Sequence, residues 1–147
     1  MNLTRSIEPL GQHIACAEGL HDIIVAARLG GARKDAQVDA CGAFSAALFD
    51  VLTSRDKQCS LVTVSCGYQP GRPEWYHSVV EVNGVHYDSL GLFTEAECRK
   101  RMKTHPSVAL HFTYTPDQRE DCFDAELAEL HAFYVKALAK AFDKAAR

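Results

Sequence analysis

Residues 76–91, YHSVVEVNGVHYDSLG, decide the fold of this chain. Two short runs rich in β-branched and aromatic residues flank Asn83-Gly84, the dipeptide that favours the positive φ angles of a type I′ hairpin turn. A two-residue turn fixes the register, with Val82 opposite Val85, Glu81 opposite His86, Val80 opposite Tyr87 and Val79 opposite Asp88. Side chains alternate between the two faces of a strand. His77, Val79 and Glu81 therefore share one face with His86, Asp88 and Leu90. His77 and Asp88 become diagonal neighbours, their Cα atoms on the order of 7–8 Å apart, within reach of an imidazole–carboxylate hydrogen bond.

Working outward, Ser60–Cys66 (SLVTVSC) predicts a strand, and the Pro- and Gly-punctuated GYQPGRPEW predicts a surface connection into the hairpin. Beyond the hairpin, a short helix is expected over Glu95–Met102, a strand over Val108–Tyr114 and a long amphipathic helix over Asp124–Ala146. The last carries Leu127, Leu130, Tyr134, Leu138 and Phe142 along one stripe. Upstream, Ile7–Leu29 predicts a helix with Pro9 in its first turn, a break possible at Gly19, and Gly30-Gly31 as its stop. After the polar ARKDAQVD, Asp39 is placed to cap a helix over Ala40–Leu52 that buries Phe44, Leu48, Val51 and Leu52. Helices, then consecutive strands joined by tight turns, then a helix, predict an α+β fold on an antiparallel sheet.

With 147 residues the chain suits a single domain spanning 1–147. Its net charge of −3, with the two signs interspersed, gives no reason to expect a nucleic-acid or membrane partner. Six cysteines show no CxxC and no histidine at zinc-finger spacing, so no metal and no cofactor is expected. MNLTRSIEPLGQHIAC lacks the apolar core of a signal peptide. Reduced thiols and a cytoplasmic location are the expectation, and a protein exported without a cleaved signal peptide would read the same way.

Cys41 falls in the first turn of its expected helix, where free N–H groups and the helix dipole favour a thiolate, the nucleophilic form. Taken alone, such a cysteine reads first as a small core hydrophobe, because any helix start can hold one. His77 alone is a half-exposed strand residue, and Asp88 alone a strand-end residue before a turn. Among the others, His86 is expected to pair with Glu81 on the surface, and Trp75 and Tyr76 to serve either the core or a cleft. His13 and Cys16 share a helix without further partners, Cys98 and Cys122 have no evident base, and His105, His111 and His131 show no ligand spacing.

A cysteine opening a helix (CGAFSAALFDVL, 41–52), then a histidine and an aspartate on successive strands (HSVVEVNGVHYDSLG, 77–91), resembles the papain-like and transglutaminase-like cysteine enzymes. That superfamily includes peptidases, bacterial cell-wall amidases, arylamine N-acetyltransferases and protein-modifying bacterial effectors. The likeness covers Asp39–Leu92, about half the chain, and the His–Asn-Gly–Tyr-Asp string is nearest to the transglutaminase-like and acetyltransferase branches. It implies a papain-like fold with N-terminal helices, the nucleophile at a helix start, an antiparallel sheet and a C-terminal helix. It implies a thioester on Cys41, proton transfer by His77 and orientation of His77 by Asp88. The Cys41 backbone N–H would stabilise the oxyanion together with an upstream donor. Papain-like peptidases carry a glutamine at the position that is Asp35 here, so the nearby Gln37 becomes the candidate for that donor. The implied substrate is a peptide, a protein or a small amide. The competing readings are a binding or adaptor domain that keeps the fold without turnover, and a structural protein whose cysteines are all core.

Overall fold

The structure, a computed structural model, describes residues 17–28, 41–122 and 125–146. The predicted hairpin forms around Asn83 and Gly84, which take φ angles of 51° and 79° as a type I′ turn requires. It joins β2 (Trp75–Val82) to β3 (Val85–Asp88), with Val82 opposite Val85, Glu81 opposite His86 and Val80 opposite Tyr87. The ladder stops there, one pair short of the expected Val79–Asp88, because β3 turns at once into β4 (Gly91–Phe93). On the other side β2 pairs with β1 (Ser60–Gly67), and β1 pairs with β5 (His111–Asp117). The result is one antiparallel sheet in the order β4-β3-β2-β1-β5.

Five α-helices among the described residues pack on this sheet, giving an α+β fold. These are α1 (Ala17–Ala26), α2 (Cys41–Ser54), α3 (Glu95–Met102), α4 (Arg119–Cys122) and α5 (Ala128–Ala145). Leu61, Val80, Val82 and Tyr87 point to one face and pack with α1, α2 and α5 in the main core. Phe44, Leu48, Val51 and Leu52 of α2 are buried there, as their spacing predicts, with Tyr134, Leu138 and Phe142 of α5. Burying a side chain of this size contributes about 1.5–3 kcal/mol, so this layer sets the seating of α2 on the sheet. Val62, Val64, Cys66 and Val79 point the other way and form a smaller core with Phe93 and with Cys98 of α3.

Three expectations need correction. Helix α1 runs through Gly19 without a break, held by the buried Leu20, Ile23 and Ile24. The strand predicted over Val108–Tyr114 lies three residues later. At Val108 the chain is still turning, its N–H donating to the His105 carbonyl, and Pro116 is tolerated opposite Val62 because β5 is an edge strand. The last helix begins at Ala128 after a single 3-10 turn over Ala125–Leu127. The expected start at Asp124 lies outside the described residues, as do His13, Cys16, Gly30-Gly31, Gln37 and the Asp39 cap. No helix among the described residues is long and apolar enough to cross a membrane.

Candidate active site

Cys41, His77 and Asp88 come together. Alternation along β2 sends His77 to the same face as Val79, toward α3, and puts it beside Asp88 at the end of β3. The His77 Nε2 lies 2.8 Å from Asp88 Oδ2, and both side chains are only 2% exposed. Cys41 is the first residue of α2, and its sulfur hydrogen-bonds the His77 ring. Since Nε2 is committed to Asp88, Nδ1 is the ring nitrogen left for the sulfur. The Ser78 backbone N–H also donates to Cys41. That donor is available because β3 leaves β2 after Val80, so this part of β2 has no strand on that side.

At each group, burial and the polar contacts pull in opposite directions. Burial alone would push the Cys41 thiol up. The His77 bond, the Ser78 N–H, the charge of His77 and the Gly42 N–H outweigh burial and hold the thiol below its ordinary value. His77 moves the opposite way. Its burial is overcome by bonds to Asp88 and Cys41, and its proton is held more tightly than in a free imidazole. Asp88, against burial, is held down at about 2 by His77 and by Arg101. A lowered thiol beside a raised imidazole is the condition for a thiolate–imidazolium pair.

The surroundings keep water away from the imidazole. The rings of Trp75 and Phe93 lie 5.3 and 5.4 Å from that of His77. Trp75 is thus half-buried against the histidine, while its neighbour Tyr76 is 63% exposed. Asp88 Oδ1 accepts the Leu90 N–H at 3.0 Å. Gly42, next to the sulfur, sits where a Cβ would come within 3.0 Å of the Cys122 carbonyl oxygen.

The sequence reading misses Arg101, whose Nη1 donates to Asp88 Oδ2 at 2.6 Å. Its helix was legible. Thr94 accepts the Glu97 N–H at 3.1 Å, and Thr94 with Glu97 has the spacing of a capping box. The contact between that helix and β3 is tertiary and leaves no local pattern. A second cluster is also missed. Asp50 accepts from Arg119 and lies 2.8 Å from His131 Nε2.

The remaining candidates stay apart from the triad. His86 pairs with Glu81 at 2.9 Å, as expected, and stacks on Tyr114. His105 turns back on Ser107 at 2.7 Å, and His111 is exposed at the start of β5. Cys98 and Cys122 are buried, and burial pushes their thiols up, Cys98 to about 12. Cavities of about 660 and 480 Å³ lie beside the hairpin turn and between α1 and α5. Neither touches the triad, and Cys59, which lines the first, is pushed up to about 11 by burial and by Asp50. Compared with known proteins, the chain matches no family model, no curated protein and no solved structure.

Proposed function

We propose that this chain is a cysteine-dependent hydrolase or acyl transferase acting on an amide, peptide or isopeptide bond. It would work through Cys41, His77 and Asp88 in a papain-like or transglutaminase-like domain. The observation that carries the reading is a helix-start thiol, lowered in pKa, bonded to an imidazole that is itself bonded to a buried carboxylate.

The Cys41 sulfur attacks the carbonyl carbon as its thiolate. Negative charge gathers on the carbonyl oxygen, where the Cys41 backbone N–H at the helix start is the donor at hand, with Gln37 as the candidate second. His77 delivers its Nδ1 proton to the leaving nitrogen, the C–N bond breaks, and a thioester remains. Water or an amine then attacks the thioester while His77 takes its proton, and the C–S bond breaks to return the Cys41 thiolate, which gives hydrolysis or transfer. Asp88 keeps the ring in one orientation throughout and stabilises its charged form.

Competitive alkylation tests this. Iodoacetamide should label Cys41 at least about tenfold faster than Cys59, Cys66, Cys98 or Cys122, and the rate should persist well below pH 8.5, about the ordinary thiol pKa. A Cys41 profile centred on the ordinary thiol value would sink the enzyme reading and leave the binding-domain reading standing.

A further inference from the structure

We propose that Arg101 is a positioning residue that sets how tightly His77 holds its proton, by bonding the same Asp88 oxygen that His77 bonds. The inference deepens the triad reading above and rests on it.

Asp88 Oδ2 receives Arg101 Nη1 at 2.6 Å and lies 2.8 Å from His77 Nε2, while Oδ1 takes the Leu90 N–H at 3.0 Å. The three donors come from α3, from β2 and from the turn after β3, so the carboxylate has no rotation left. An arginine is permanently charged, and a charge-assisted bond of this length draws heavily on the shared oxygen. The guanidinium also lies over the Phe93 ring at 5.4 Å, the ring that flanks His77. Its side chain is only 18% exposed, so solvent screens it little.

His77 faces Asp88 from β3, Cys41 from α2 and, across Asp88, Arg101 from α3. Among the described residues, Arg101 faces Asp88, Glu97 at 3.9 Å on its own helix, and Cys98. Cys122 in turn feels the charge of Cys41. Asp88 alone would fasten the proton to His77 so firmly that the imidazolium becomes a reluctant acid. Arg101 takes part of that charge and leaves a proton that can pass to a leaving nitrogen.

The test follows the His77 ring nitrogens by NMR as a function of pH in wild type, Arg101→Gln, Arg101→Met and Arg101→Lys. The two neutral variants should raise the His77 protonation midpoint by about one pH unit, and Arg101→Lys should stay within about 0.3 unit of wild type. A midpoint that is unchanged, or that falls, in a folded neutral variant overturns the proposal and leaves Arg101 a purely structural clamp. If neither neutral variant folds, Glu97→Gln decides. Losing the counter-charge of Arg101 should lower the midpoint by about 0.2–0.5 unit, and no change overturns the proposal. Cys41 alkylation profiles on the same wild-type sample keep the two readings separate. An ordinary thiol there ends the triad reading, whereas an activated thiol with an Arg101-independent His77 ends only this one.

Discussion

Among the described residues, the same three residue types meet in the same contact twice. At one site Asp88 Oδ2 takes Arg101 at 2.6 Å and lies 2.8 Å from His77, and at the other Asp50 Oδ2 takes Arg119 at 2.6 Å and lies 2.8 Å from His131. The distances agree and the surroundings do not. Asp88 is 2% exposed and Asp50 is 30% exposed. Asp88 joins two strands to α3, whereas Asp50 joins α2 to α4 and α5. The nearby sulfurs also differ. Cys41 is lowered by the imidazole it bonds, and Cys59 is pushed up by burial and by the charge of Asp50. An Asp–His–Arg cluster is therefore no signature of chemistry by itself. What sets the Asp88 cluster apart is a thiol on the ring and a shell that excludes water, and the proposed chemistry rests on these.

The strongest way to break this contrast is to remove the sulfurs. Cys41→Ala should abolish acyl chemistry and leave the melting temperature within a few degrees of wild type, since the helix accepts alanine readily. Cys59→Ala should leave the chemistry intact. The comparison fails if turnover of an activated ester survives in the first variant or vanishes in the second.

Removing the carboxylates comes next. Asp88→Ala strands Arg101 and His77 in a dry site and should cost about 3–5 kcal/mol in chemical denaturation. It should also carry the Cys41 alkylation profile to higher pH. Asp50→Ala opens a half-exposed pair, should cost about 1 kcal/mol, and should not touch that profile. Equal costs at the two sites would show that burial is not what separates them.

Acid provides a smaller effect with a definite sign. Asp88 sits at about 2, below the ordinary 3.8 of an aspartate, so its contribution is complete above about pH 4 and is lost as pH falls through about 2. Unfolding of wild type and of Asp88→Asn, compared between pH 4.5 and 2, should show about 2 kcal/mol of extra acid sensitivity in wild type. His77 acts in the opposite sense. Its raised pKa contributes stability below about pH 6.5 that disappears as pH rises through the folded value. The smallest effect is expected at the third histidine–carboxylate pair. Glu81→Gln beside His86 should change stability by less than about 0.5 kcal/mol and leave Cys41 alone. A clear shift in the alkylation profile would mean that charge on the hairpin reaches the thiol over a longer range than burial suggests.

The parts legible in the sequence are those specified by near neighbours. Asn83-Gly84 set the hairpin register, and the register put His77 beside Asp88. The apolar period of α2 fixed its buried face, which presents Cys41 at the sheet. What stayed illegible depends on distant packing. Arg101 reaches Asp88 because Cys98 and Met102 anchor α3 under the sheet, with their sulfurs 3.7 Å apart, and the pattern of EAECRKRM does not say which strand lies opposite. The Asp50 cluster joins residues 69 and 81 positions apart in the chain. The displacement of β5 likewise reflects its place at the sheet edge, which local propensity does not record.

The tilted packing of Trp75 against His77 gives the molecule its own optical probe. Trp75 is the only tryptophan in the chain, and its ring centre lies 5.3 Å from that of His77. A protonated imidazole at that range accepts an electron from excited indole and dims its emission, while a neutral imidazole does so far less. All the ultraviolet tryptophan fluorescence of the protein thus comes from one ring pressed against the histidine of the triad. Its brightness should follow the charge of His77, brightening when the imidazole gives up its proton and dimming when the proton returns.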